Sequence, residues 1–351
     1  MPLKILIIKL TSLGDLIHTF PALTEAQKAF PDAHFDWLVD ENFVQIPGMH
    51  PTIKNIISVP LRQKKWKAVF FQILKLRKTH RYDLIIDAQG LIKSAVLALF
   101  LKGEKHGLNK NSARESFASF FYNKTYDIPK NQHAIDRTRQ LFSEVLKYPL
   151  NFSSPLDYGI VDSKLGRIQD SALHNHPHPK KQKTILFLHG TTWETKHWPE
   201  IYWIQLGQKL SESGFEILIP WGNTLEKKRA EFFNTQFKST VLPKLSLLEF
   251  KTLLQNSVTG IVAQDTGLTH LAAALNIPTV SLYGPTDPRK TGPKGQFQKI
   301  LSAKFECAPC LSKICTYTAQ SPYEPNIQPP CFGSIPPQMV YDSLLQILES
   351  S

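Results

Sequence analysis

Ile5-Leu-Ile-Ile-Lys-Leu-Thr-Ser-Leu-Gly-Asp15 decides the fold. Its first half is an unbroken aliphatic run, the pattern of a strand buried on both faces of a parallel sheet. Its second half is a polar turn with one glycine that opens a helix. Gly260-Ile-Val-Ala-Gln-Asp-Thr-Gly-Leu-Thr-His270 repeats that plan far downstream. Strand-to-helix turns at the carboxyl edge of a parallel sheet are where α/β proteins bind ligands. The open N–H groups and positive helix end attract phosphate. One such turn in each half of the chain predicts two doubly wound α/β lobes facing each other across a cleft. That arrangement favours an enzyme joining two substrates.

Outward from the first turn, strands are expected at residues 3–10, 34–39, 55–59 and 84–88, with helical patterns between them. Alternation of this kind makes parallel βαβ units. The pattern fails near 161–183, where Ser171-Ala-Leu-His-Asn-His-Pro-His-Pro-Lys-Lys-Gln-Lys183 is polar, basic and proline-containing. It is expected to be the interdomain linker, and no cysteine or carboxylate spacing supports a metal on its three histidines. Strands resume at 184–188, 216–220, 239–242, 260–263 and 279–282. The expected lobes are 1–170 and 184–335, joined by 171–183, with residues 336–351 as a terminal amphipathic helix.

The 351-residue length allows two domains, and 42% hydrophobic residues allow real cores. No apolar run approaches the roughly 18 to 20 residues of a membrane span. Lys4, Lys9 and Asp15 interrupt the first apolar run, so neither a signal peptide nor export is expected, and the protein is expected to be cytoplasmic. A net charge of +12 points to an anionic partner. Nucleic acid has no recognised motif in its favour.

The first turn lacks GxGxxG, which argues against ordinary dinucleotide binding. Gly14 lets a ligand approach the backbone, and Asp15 either presents a carboxylate to the cleft or serves only as a first-turn acid. Arg62-Gln-Lys-Lys-Trp-Lys67 continues to Lys75, Arg77, Lys78 and Arg81 without an acid. It is either a solvated helix face or, given Val69, Phe70, Phe71, Ile73 and Leu74, a basic amphipathic surface for anionic lipid. His189-Gly-Thr-Thr-Trp-Glu-Thr-Lys-His-Trp-Pro199 offers Thr191, Thr192 and Lys196 to phosphate. Asp265-Thr-Gly-Leu-Thr-His270 exposes helix N–H groups to an anion, unless Asp265 is simply the N-cap. Cys307, Cys310, Cys315 and Cys331 form C-x2-C-x4-C-x15-C, either a structural zinc site or four free thiols.

Lys9-Leu-Thr-Ser-Leu-Gly-Asp15 with Ile17-His-Thr-Phe-Pro-Ala-Leu-Thr24 resembles the ADP-heptose:lipopolysaccharide heptosyltransferases, glycosyltransferase family 9, in their type I branch. Phe35-Asp-Trp-Leu-Val39, Ile86-Asp-Ala-Gln-Gly-Leu-Ile-Lys-Ser-Ala95, Ala113-Arg-Glu115, Lys196-His-Trp-Pro199, Leu218-Ile-Pro-Trp-Gly222 and Asp265-Thr-Gly-Leu-Thr-His270 extend the likeness in order along the chain. The resemblance implies a GT-B fold of two Rossmann-like lobes, with the terminal helix crossing back to the first. It implies transfer of heptose from ADP-heptose to a Kdo residue of Kdo-lipid A, with Asp15 as general base. Thr191, Thr192, Lys196, Asp265, Thr266, Gly267 and His270 match the donor diphosphate region, Glu226 the ribose contact and Leu245 the adenine contact. Ser12, Gly14, Arg62, Lys64, Lys65 and Arg114 match the acceptor region. No metal is expected for turnover, since no DxD-type motif stands in the expected place. A monomer is expected, peripheral on the cytoplasmic face of the inner membrane. The Cys307–Cys331 cluster departs from the type I pattern and resembles type II tails, so the alternative is a type II or III member acting on a later core acceptor.

Overall fold

The structure, a computed structural model, describes residues 2–61, 65–160, 183–318 and 321–351. The chain divides into two compact units between Ile160 and Val161. The expected linker, apart from Lys183, lies outside the described residues, as do Arg62 and Lys64.

In the first unit the strands are β1 (Lys4–Ile8), β2 (His34–Asp40), β3 (Ile53–Val59), β4 (Leu84–Asp87), β5 (Glu104–Leu108) and β6 (Lys124–Tyr126). The helices are α1 (Leu13–Ile17), α2 (Phe20–Ala29), α3 (Trp66–Thr79), α4 (Ile92–Leu99) and α5 (Ala134–Leu146). The sheet is parallel with order β3-β2-β1-β4-β5-β6. Ile5 to Ile8 of β1 are wholly buried because helices cover both faces. Leu6 and Ile8 pack with Val69 and Ile73 of α3 and Leu97 of α4. On α5, Arg139 is 1% exposed, its Nε donating to Glu25 Oε1 of α2 at 2.8 Å. That pairing sets α5 against α2 and brings Arg137 and Thr138 toward the end of β1.

The second unit repeats the design. Its strands are β7 (Thr184–Leu188), β8 (Glu216–Ile219), β9 (Thr240–Val241), β10 (Gly260–Gln264), β11 (Thr279–Tyr283) and β12 (Gln298–Ser302). Its helices are α6 (Glu200–Glu212), α7 (Thr224–Gln236), α8 (Leu247–Ser257), α9 (Gly267–Ala274), α10 (Pro288–Thr291) and α11 (Pro337–Glu349). Its order, β12-β11-β10-β7-β8-β9, is the first order over again. Each sheet reverses direction between its first and fourth strands, and ligands bind at such switch points. Val340, Leu344 and Ile347 of α11 are buried in the core of this second unit, and the helix packs on α6, β10, β11 and β12.

The central strands coincide with the expected ones to within a few residues. Strands β5, β6 and β12 were not expected. They lie toward the sheet edges and carry half-wet sequences, Glu-Lys-His-Gly-Leu, Lys-Thr-Tyr and Gln-Lys-Ile-Leu-Ser. β6 and β12 are edge strands and β5 lies next to β6, and their partly exposed positions break up the apolar run that marks β1. Among the described residues no helix is long and apolar enough to cross a membrane.

Candidate active site

At the switch point of the first unit, the loops after β1 and β4 open a cavity of about 120 Å³ lined by Lys9, Asp15, Gln89, Arg114, Arg137 and neighbouring apolar groups. Asp15 sits in the first turn of α1, and its Oδ2 accepts from the Ser12 N–H at 3.1 Å and from the Ser12 hydroxyl at 3.0 Å. Asp15 thus closes a capping box and also lines the cavity. Lys9 Nζ donates to the Ala88 carbonyl at 2.7 Å. Burial lowers its pKa, while the Asp15 and Asp87 carboxylates pull it back up. Gln89 Oε1 accepts the N–H groups of Leu10 and Thr11, which clamps the β1 loop onto the β4 loop. Arg137 donates to the Ser112 carbonyl at 2.6 Å, and its buried Nε has no hydrogen-bond partner among the described residues. One carboxylate among three cations suits a site that holds an anionic molecule while accepting a proton from it.

At the switch point of the second unit, a pocket of about 190 Å³ is lined by Gly190, Trp221, Glu226, Leu245, Phe250 and Thr266, among others. Leu245 and Phe250 give it an apolar wall. Glu226 gives it a carboxylate, held in place by the Gly222 N–H at 2.7 Å and the Asn223 amide at 2.8 Å. Gly190 leaves room for it, since a Cβ there would lie 2.7 Å from Glu226 Oε1 and push the carboxylate aside. An apolar slot with one fixed acceptor suits a heterocycle carrying a hydroxylated sugar.

Asp265 ends β10. Its Oδ2 accepts from Lys196 Nζ at 2.6 Å and from the Thr286 hydroxyl at 2.7 Å. The Lys196 and Asp265 side chains are only 14% and 11% exposed. The Thr191 hydroxyl donates to the Asp265 carbonyl at 3.1 Å, so the β7 loop is pinned to the β10 loop. Helix α9 starts at Thr266 without a side-chain cap. Its first N–H groups, with Lys196 close by, form a cradle whose chemistry suits a phosphate.

Behind the cradle lie His189 and His197. The His189 ring nitrogen Nε2 donates to the Pro220 carbonyl at 3.1 Å, and His197 Nδ1 accepts from Arg229 at 3.1 Å. Burial, reinforced by Arg229, lowers each pKa to about 4, and burial alone lowers that of His50 in the first unit to about 4. A histidine with a lowered folded pKa binds its proton first in the unfolded chain. Stability is therefore full above the unfolded pKa of about 6.5 and is lost as pH falls toward 4. We expect urea unfolding at pH 5.5 to show a loss of about 1 kcal/mol per buried histidine relative to pH 7.5. Replacing His50 by glutamine should flatten that slope by one histidine's share.

The four cysteines lie close enough together for their charges to act on one another. All four thiols are free, and among the described residues no group of three or more His, Cys, Asp or Glu side chains is placed to hold a metal. Cys331 is buried beside Phe332, whereas Cys307 and Cys310 are exposed on the irregular segment after β12. Burial, reinforced by the neighbouring Cys307, Cys315 and Cys310 thiols, pushes the Cys331 thiol up to about 12. That segment does touch the cradle loop, since the Thr195 hydroxyl donates to the Ser312 carbonyl at 2.6 Å.

The family model for glycosyltransferase family 9 (heptosyltransferase) matches residues 71–320. The chain belongs to glycosyltransferase family 9, the heptosyltransferases. It is a glycosyltransferase. It is similar to lipopolysaccharide heptosyltransferase 1 of Pseudomonas aeruginosa, with 42% identity over 99% of this chain and 98% of that one. The solved structure of the E. coli heptosyltransferase WaaC with ADP matches with a TM-score of 0.76 and 39% identity, covering 86% of this chain and 94% of that one. The same enzyme with ADP-2-deoxy-2-fluoro heptose matches with a TM-score of 0.74 and 40% identity, covering 86% and 94%. The two parallel-sheet units are thus those of a GT-B glycosyltransferase.

Of the residues expected from the sequence, Glu226, Leu245 and Thr266 line the second-unit pocket, and Thr191, Lys196 and Asp265 form the cradle beside it. Gly267 begins α9, His270 is buried within it, and Thr192 is exposed on the loop. In the first unit Asp15 and Arg114 line the cavity. Ser12 caps α1, Gly14 is buried within it, and Lys65 is exposed before α3. Lys9, Gln89 and Arg137 were not expected as site residues. Lys9 carried a signal, a lone cation in an apolar strand. Arg137 carried none, because only the packing of α5 brings it to the β1 loop.

Proposed function

We propose that this heptosyltransferase is of type I, moving heptose from ADP-L-glycero-β-D-manno-heptose to a Kdo residue of Kdo-lipid A. The observation that carries the reading is the division of chemistry between two equivalent switch points. One offers a carboxylate among cations. The other offers an apolar slot, an acceptor for sugar hydroxyls and a phosphate cradle. The likeness to the relative from Pseudomonas aeruginosa supports the acceptor choice, and the heptose-analogue complex of the E. coli enzyme supports the donor.

In this mechanism the acceptor hydroxyl attacks the anomeric carbon of the donor as the bond to ADP breaks, with inversion. Asp15 takes the hydroxyl proton as the new bond forms, from about 3 Å or through one water. Lys196, the Thr191 hydroxyl and the start of α9 stabilise the charge on departing ADP. Glu226 holds the ribose and Leu245 the adenine. Lys9, Arg114 and Arg137 hold the acceptor's carboxylate and phosphates, together with the basic stretch that begins at Arg62. The cation at Lys196 does the work a metal would do on the diphosphate, so turnover needs no metal. The enzyme works as a monomer at the cytoplasmic face of the inner membrane, where its lipid acceptor lies.

Incubation with ADP-heptose and di-Kdo lipid A tests this, following ADP release and the mass of the acceptor. A heptose-sized gain establishes the reaction. Transfer only to an already heptosylated core would make the protein a type II or III member. Replacing Arg137 by methionine should raise the acceptor KM about tenfold with the donor KM unchanged, as loss of one charge-assisted contact predicts.

A further inference from the structure

The sheet face covered by α3 and α4 carries a surface that sugar transfer leaves idle. α3 turns Val69, Ile73 and Leu76 onto the sheet, and leaves Phe70 and Phe71 exposed at 44% and 69%. Between α3 and α4 runs an apolar groove of about 680 Å³ lined by Val69, Phe70, Ile73, Ile92, Val96 and Phe100. At one end the Ile92 N–H donates to Glu115 Oε2 at 2.7 Å. That bond ties the groove to the short 3-10 turn Ser116–Phe121. There Phe117 and Phe120 lie side by side with ring centroids 5.9 Å apart, 68% and 77% exposed. Clustered large rings held in water mark a surface that something covers.

Charge names the occupant. Lys67, Lys75, Arg77, Lys78 and Arg81 are exposed on or just after α3, Lys93 lines the groove, and no acid occurs from residue 62 to 82. One acid, Glu115, also lines the groove, and its Oε2 accepts the Ile92 N–H, leaving it outnumbered by these six cations. A second copy of the chain would set cations against cations. An anionic bilayer instead receives rings at the acyl boundary and lysines at the headgroups.

We propose that the α3–α4 groove and the Phe117–Phe120 pair dock into the acyl boundary of an anionic lipid bilayer, with the surrounding cations at its headgroups. This deepens the membrane part of the reading above and stands without its sugar chemistry. Binding then has two components. Salt screens the ionic one and leaves the apolar one.

The test is co-sedimentation of the full chain, without donor or acceptor. The vesicles are phosphatidylcholine alone, or phosphatidylcholine mixed equally with phosphatidylglycerol, each at low and high salt. The wild type should prefer the anionic vesicles and keep a bound fraction at high salt. Phe117→Ser with Phe120→Ser should lower partitioning about tenfold or more and remove the salt-resistant fraction, since two exposed rings lose their apolar burial. Lys75→Gln with Lys78→Gln should lower only the anionic preference. Thermal melts should stay unchanged in both variants, because all four side chains are exposed. Unchanged partitioning of the phenylalanine variant overturns the proposal, as does a wild type that ignores vesicles. A dimer in solution that this variant dissolves also overturns it, by making a second copy the occupant. Heptose transfer enters none of these readouts, so its failure and the failure of this surface are separately visible.

Discussion

Replacing Asp15 by alanine is expected to lower kcat by about a hundred- to ten-thousand-fold, the range of a lost general base, while ADP-heptose affinity stays within a factor of two or so. Alanine alone cannot prove the role, because Asp15 Oδ2 also accepts the Ser12 N–H and hydroxyl. Losing that capping box costs about 1 kcal/mol of stability. Asparagine separates the two roles, since its carbonyl oxygen still accepts from Ser12 but takes no proton at neutral pH. We expect Asp15→Asn to melt near the wild type and to be as inactive as the alanine variant. An active asparagine variant would reduce Asp15 to a helix cap. Equal losses of turnover and donor binding in both variants would move Asp15 to the donor site.

Lys196→Met should lower kcat by about a hundred- to a thousand-fold, the range for removing one preorganised group from a developing negative charge. It should also destabilise the second unit. The mutation leaves the Asp265 carboxylate, 11% exposed, without its cation. Breaking a buried pair from one side costs about 2 to 4 kcal/mol at this depth. Adding Asp265→Asn should recover most of the melting temperature and none of the turnover. Recovery of both would make the pair structural. Recovery of neither would mean that Asp265 binds donor through its charge. Steady-state kinetics with ADP release, beside thermal melts of the single and double variants, distinguishes these outcomes.

Part of the second-unit site was legible because it is local, whereas Glu226, in the first turn of α7, and Leu245 came from the family resemblance alone. Asp265, Thr266 and Gly267 are contiguous, and the strand before them announces itself by its apolar run. The first-unit cavity was less legible. Its cations come from residue 9 just after β1, residue 114 after β5 and residue 137 on α5, and no window of sequence holds them together. The cysteine spacing left two alternatives open for a related reason: C-x2-C is a local pattern, and only the fold brings Cys331, fifteen residues on, back beside Cys307, Cys310 and Cys315.

By itself the sequence determined the class of fold, the central strands of both sheets and the loops that follow them. Apolar runs, turn residues and helix starts are short-range physics, set by side chains a few positions apart. Only the tertiary structure decided that Lys9, Arg114 and Arg137 converge on Asp15, and that Lys196 is paired with Asp265. It alone decided that four phenylalanines beside a basic helix stay in water. Those facts depend on which faces the sheet order β3-β2-β1-β4-β5-β6 brings together, and contacts between residues a hundred positions apart leave no period in the chain.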